Sequence, residues 1–118
     1  GIASVAYTSI TAARAVTLLA ASAYAAGQQL LVVDESGSCS TTKTITLNRN
    51  GTPGTDTING QASYVIKAAY GFVLLESNGS NAFTIIDQDF NSWVANLPTS
   101  LPGTTNIPWN NGGVISTT

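Results

Sequence analysis

The 118 residues suit one domain and leave no room for a second complete core. Hydrophobic residues make up 43%, enough for a core, yet charged residues make up only 8%, against roughly 25% in ordinary soluble domains. With a net charge of -2 and the four cations Arg14, Lys43, Arg49 and Lys67 scattered through the chain, there is no basic patch, which argues against nucleic-acid or anionic-membrane partners.

Short β-branched and aliphatic runs alternate with turn signals between Thr8 and Ile86, the pattern of consecutive strands. The first predicted strand covers residues 13–19, the second 28–34, and the third 43–48, where Thr44, Ile45, Thr46 and Leu47 alternate polar and apolar. Further strands are predicted at 64–67, 71–76 and 82–86. Turns are expected at Glu35-Ser36-Gly37, Asn50-Gly51, Pro53-Gly54, Asn59-Gly60 and Asn78-Gly79, since Gly and Asn accept positive φ. The Ala-rich residues 20–26 suggest a short helical turn ended by Gly27.

Leu30-Leu31-Val32-Val33, Phe72-Val73-Leu74-Leu75, and Phe83 with Ile85 and Ile86 are apolar on both faces of their strands. A second buried face needs another sheet or another subunit, which is the physical motive for an oligomer. From Asp87 the pattern changes: Asn91, Trp93, Pro98, Pro102, Pro108, Asn110 and Asn111 make a poor strand and a worse helix. The chain therefore divides into a β-strand region, 1–90, and a Pro/Asn/Gly-rich arm, 91–118, packed on its own or a neighbouring subunit, with Val114 and Ile115 in a last short strand. The fold class expected is all-β, an elongated β-sandwich or β-helix-like arrangement completed by oligomerisation.

No stretch approaches the roughly 20 apolar residues that span a bilayer, and no basic segment precedes the apolar start. The chain begins at Gly1 and contains no Met, as expected of a piece or processed product of something longer. Lone Cys39 reads as a small turn residue, an intersubunit bridge being the alternative.

The absence of His removes Ser-His-Asp and Cys-His arrangements and every His-ligated metal site. Of the paired acids, Asp34 and Glu35 point to opposite faces of a strand, whereas Asp87 and Asp89 share one; both pairs read as solvated strand-end or turn residues. Asp87-Gln88-Asp89-Phe90-Asn91 imitates the opening of a calcium loop, but Ser92 stands where Gly is needed and Pro98 where the bidentate Glu belongs. Asn50-Gly51-Thr52 and Asn78-Gly79-Ser80 match the glycosylation acceptor pattern and read first as turns. No cofactor, metal or catalytic set is expected. Aromatic rings beside amides can bind sugars by stacking and hydrogen bonding. Trp93, Trp109, Tyr7, Tyr24, Tyr64 and Tyr70 are the aromatics open to that role, with core or interface packing the default reading for each; the candidate glycan-binding residues taken forward are Trp93, Trp109, Tyr64 and Tyr70.

Three stretches resemble a pattern in structural proteins of tailed bacteriophages and fibre-like proteins of large algal viruses. They are Thr11-Ala12-Ala13-Arg14-Ala15-Val16-Thr17-Leu18 leading to Leu31-Val32-Val33-Asp34-Glu35-Ser36-Gly37; Ile45-Thr46-Leu47 leading through Asp56-Thr57-Ile58-Asn59-Gly60 to Tyr70-Gly71 and Ser77-Asn78-Gly79; and Leu97-Pro98-Thr99-Ser100 leading to Trp109-Asn110-Asn111-Gly112-Gly113. Leu101 stands where the pattern often carries Asp. The resemblance implies a homotrimer on the virion surface, an elongated β architecture and host attachment, and it brings no catalytic residues. The function expected is a structural and trimerisation domain of a viral fibre or tailspike. Its alternative is a carbohydrate-binding module for host surface polysaccharide. An enzyme using Asp87, Asp89 or Glu76 at a subunit boundary ranks last.

Overall fold

The computed structural model describes residues 2–50 and 54–118. The turns expected at Asn50-Gly51 and Pro53-Gly54, and the acceptor pattern Asn50-Gly51-Thr52, fall on 51–53 and lie outside the described residues.

Ten strands and one short α-helix follow in order: β1 Ile2–Tyr7, β2 Arg14–Thr17, β3 Gln29–Asp34, β4 Ile45–Asn48, β5 Thr57–Ile58, β6 Ser63–Ile66, β7 Phe72–Ser77, β8 Ala82–Gln88, α1 Phe90–Ala95, β9 Pro108–Asn111 and β10 Val114–Thr117. The all-β reading holds. Each of the six strands expected through Ile86 is present. β1 was not expected: Ile2-Ala3-Ser4-Val5-Ala6-Tyr7 is built largely of small residues and is mostly exposed, so its apolar periodicity is faint. β5 is only two residues long.

The strands form a five-stranded sheet in the order β1-β3-β7-β8-β5, a three-stranded sheet in the order β2-β4-β6, and a separate β9-β10 hairpin. From β1 to β6 the chain alternates between the two larger sheets. β1 lies parallel to β3 in one and β2 parallel to β4 in the other, so the first four strands wind as two coils. The later strands close them antiparallel, β7 on β3 and β6 on β4.

One buried cluster draws on both sheets. Leu30, Val32, Val73, Leu75 and Phe83 come from the larger sheet, and Ile45, Leu47, Tyr64 and Ile66 from the smaller. Alternation along β3 and β7 turns every second side chain into this core, and the pairs Leu30–Leu75 and Val32–Val73 lie opposite each other. The short helical turn expected here is a 3₁₀ turn at Ala21–Ala23; it ends at Tyr24 rather than at Gly27, which follows at φ +88°. The Ala21 N–H donates to Asp56 Oδ2 at 2.7 Å and its carbonyl accepts from Ser77 Oγ at 2.9 Å, which pins this crossing to the core.

The single chain measures 39 × 34 × 26 Å, and its radius of gyration of 14.6 Å is close to the roughly 13.5 Å of a compact chain this long. Elongation is therefore not a property of one chain. The expectation of a poor helix after Asp87 is corrected by α1. Asp89 caps it, its carboxylate accepting the Ser92 N–H at 2.8 Å, and one satisfied donor sustains a helix too short to show periodicity. Residues 96–107 carry no helix or strand. The β9-β10 hairpin turns through Gly112 (φ +59°) and Gly113 (φ +97°). It is tied back where the Asn110 N–H donates to the Pro98 carbonyl at 2.8 Å.

Candidate functional site

On one side of the sandwich, the edge strand β6 of the smaller sheet faces β5 and β8 of the larger. Helix α1 spans the opening. Its Ser92 hydroxyl accepts the Lys67 N–H at 3.0 Å, and the Asn96 amide donates to the Val65 carbonyl at 2.7 Å, so α1 satisfies backbone groups at the edge of β6. A groove of about 610 Å³ remains beside it.

Tyr64 and Trp93, two of the four expected sugar-binding aromatics, line this groove. Tyr64 belongs to the core and is 6% exposed, with its hydroxyl donating to Gln88 Oε1 at 2.5 Å. Burial, and secondarily the charge of Asp89, pushes its phenol well above the usual tyrosine range. Trp93 stands half-buried on α1. The groove also presents Asn59, Gln61, Ser63, Gln88 and Asn96, and among the described residues no Asp, Glu, Lys or Arg lines it. Sequence reasoning did not single out these amides for the site. They come from the turn after β5, the end of β8 and the C-terminal cap of α1, and only the tertiary fold assembles them.

The other two expected aromatics lie elsewhere. Trp109 is half-buried on β9, opposite Ser116 of the hairpin. Tyr70 is 67% exposed and lies over Gly37, where an added Cβ would meet its ring at 2.5 Å. Tyr7 and Tyr24 pack against the core, Tyr24 edge-on to Phe83 with ring centroids 6.1 Å apart.

The carboxylates serve the fold. Asp34 is fully buried, which corrects the expectation of a solvated acid. Its Oδ1 accepts from the Ser36 N–H (2.9 Å), the Ser36 hydroxyl (2.6 Å) and the Gly37 N–H (3.2 Å), and its Oδ2 from the N–H groups of Cys39 (3.0 Å) and Tyr70 (3.1 Å). Burial pushes its carboxyl up, but the Ser36 hydroxyl and the N–H groups of Cys39, Tyr70 and Ser36 outweigh that and hold it below the ordinary carboxylate value. Glu35 beside it is exposed.

Asp89 lies past the end of β8 as the helix cap, and its second oxygen accepts the Phe72 N–H at 2.9 Å. It is thus separated in role from exposed Asp87, and the calcium-like run is a strand end followed by a cap. Cys39 lies in the loop after β3, as expected of a turn residue, and is buried with its thiol donating to the Ile66 carbonyl at 3.3 Å. Burial, then the Asp34 charge, pushes that thiol up. Asn78 builds a turn, its Oδ1 accepting the N–H groups of Ser80, Asn81 and Ala82.

Among the described residues there is no group of three or more His, Cys, Asp or Glu placed to hold a metal ion, and no helix long and apolar enough to cross a membrane. The groove sets Trp93 beside neutral hydrogen-bonding groups. No protein-family model matches the chain, and a search of curated proteins finds no significant match.

Proposed function

We propose that the chain is a structural module of a viral fibre or tailspike, assembled as a homotrimer at the virion surface and serving attachment to the host cell. The observation that carries this reading is the outer face of the five-stranded sheet. There Leu31 lies opposite Leu74 and Val33 opposite Phe72, a block of four apolar side chains that stay only half-buried in the single chain. Exposed Ile2 sits on the same sheet, as does exposed Ile86 at the bulge between β7 and β8. Covering such a face contributes about 25 cal/mol for each Å² of apolar area removed from water. A surface with so few charges opposes that contact weakly. Trimer rather than dimer rests on the sequence resemblance, and elongation then belongs to the assembly.

The test is molar mass by light scattering after size-exclusion chromatography. A mass near three times 12.1 kDa is expected, and a well-folded monomer overturns the trimerisation mechanism.

The second reading, a module binding host surface glycans, is favoured by the convergence of Tyr64 and Trp93 on one uncharged groove. A glycan array probed with the verified native oligomer tests it; an array without hits counts against it.

A further inference from the structure

Resting on the glycan-binding reading, we infer that the groove takes a neutral oligosaccharide, with Trp93 as the stacking platform and the Asn59, Gln88 and Asn96 amides as partners for sugar hydroxyls. Each of these amides is locked at one end by the fold. Asn59 Oδ1 accepts the Ile85 N–H at 2.8 Å, Gln88 Oε1 accepts the Tyr64 hydroxyl, and Asn96 Nδ2 donates to the Val65 and Ser92 carbonyls at 2.7 Å. Among the described residues the opposite ends have no partner, which leaves two donors, Asn59 Nδ2 and Gln88 Nε2, and one acceptor, Asn96 Oδ1. Sugar hydroxyls both donate and accept, so they match this mixed set. Because the amides are already oriented, binding loses little side-chain freedom.

The length of the ligand follows from the neighbouring surface. Trp93 and Gln88 also line a second, shallower cleft of about 280 Å³ beside Phe90. Phe90 is 66% exposed, and its ring lies 5.7 Å from that of Trp93 at an angle of 41°. The aromatic surface thus runs past one ring and accommodates successive sugar units. Neutrality follows from the lining, which holds no cation to pair with a uronic or sialic carboxylate that would lose water there. A proline-rich peptide is disfavoured because it brings carbonyl acceptors but no N–H or O–H donor for the free Asn96 Oδ1, so it matches only part of this mixed set.

A Trp109→Phe variant leaves Trp93 as the sole indole, and its fluorescence is titrated with maltotetraose, cellotetraose, galactotetraose, tetragalacturonate and a decaproline peptide. The expected result is saturable quenching by at least one neutral tetrasaccharide, with a dissociation constant on the order of 1 mM or tighter. Tetragalacturonate should bind at least about tenfold more weakly, and Gln88→Ala should weaken the neutral ligand about tenfold with an unchanged far-UV spectrum. In Trp93→Phe, where Trp109 is the sole indole, no response is expected. No response to any neutral probe, equal binding of the acidic one, or preference for decaproline overturns the inference. Molar mass measured on the same samples separates the two proposals. A monomer that binds sugar refutes only the trimer, and a trimer that ignores the whole panel refutes only the saccharide site.

Discussion

The backbone N–H of Tyr70 donates to the carboxylate of Asp34 at 3.1 Å, across 36 positions of sequence. One buried side chain thereby fixes both the turn that ends β3 and the turn that begins β7. It does so while Tyr70 holds a left-handed backbone, φ +58°, that bulky residues rarely adopt.

Asp34→Asn replaces one accepting oxygen with an NH₂ that must face backbone N–H groups. The expected loss of stability is about 3 kcal/mol, from broken charge-assisted hydrogen bonds and donors left unsatisfied. Chemical denaturation of the two proteins, compared at equal slope, measures it.

The same carboxylate sets the response to acid. Its native pKa lies below the unfolded value of about 3.9, so its stabilisation is complete above that value and is lost as pH falls through the lowered native one. The melting temperature of the wild type should therefore fall more steeply than that of Asp34→Asn as the pH is lowered below about 4. Parallel curves for the two proteins would remove Asp34 from the acid response.

How much of this was legible in the sequence depended on how each residue is held. Strands β3 and β7 were readable because their apolar runs are bounded by turn residues, but runs apolar on both faces could not say that Leu30, Val32, Val73 and Leu75 are the residues that enter the core. Helix α1 was not, because six residues give no period and its support is one carboxylate and an edge strand distant in sequence. Asp34 was misread for a related reason. A carboxylate in a Ser-Gly turn is ordinarily solvated, and only the arrival of Tyr70 and Cys39 encloses it. Tyr64 and Trp93 were nominated by chemistry alone, and so were Tyr70 and Trp109, which sit outside the groove. Residue type said what could stack, and topology decided which rings share a cleft.

Asp89→Ala removes both the cap of α1 and the acceptor for the Phe72 N–H. A cost of about 2 kcal/mol is expected, with fraying of the helix that carries Trp93. Near-UV circular dichroism should show the loss of indole asymmetry before global unfolding, and an unchanged spectrum would assign the order of α1 to its contacts with β6 instead.

Leu74→Lys places a charge on the outer face of the five-stranded sheet without entering the core. The secondary structure should persist while the molar mass falls from that of the assembly to that of one chain, and an undiminished mass would move the interface to another surface.

The alternation of the chain between its two sheets has a consequence for the time the molecule needs to form. β1 meets its neighbour β3 only after β2 has been laid down on the other sheet, and β5 has none until β8 exists. Among the described residues, apart from β7 with β8 and the terminal hairpin, no strand pairs with its successor. The chain must close loops before most ladder hydrogen bonds can repay them, so folding should take milliseconds to seconds rather than microseconds. During synthesis the edges of β1 and β2 emerge long before their partners, which makes the nascent chain most vulnerable to mispairing in its first half.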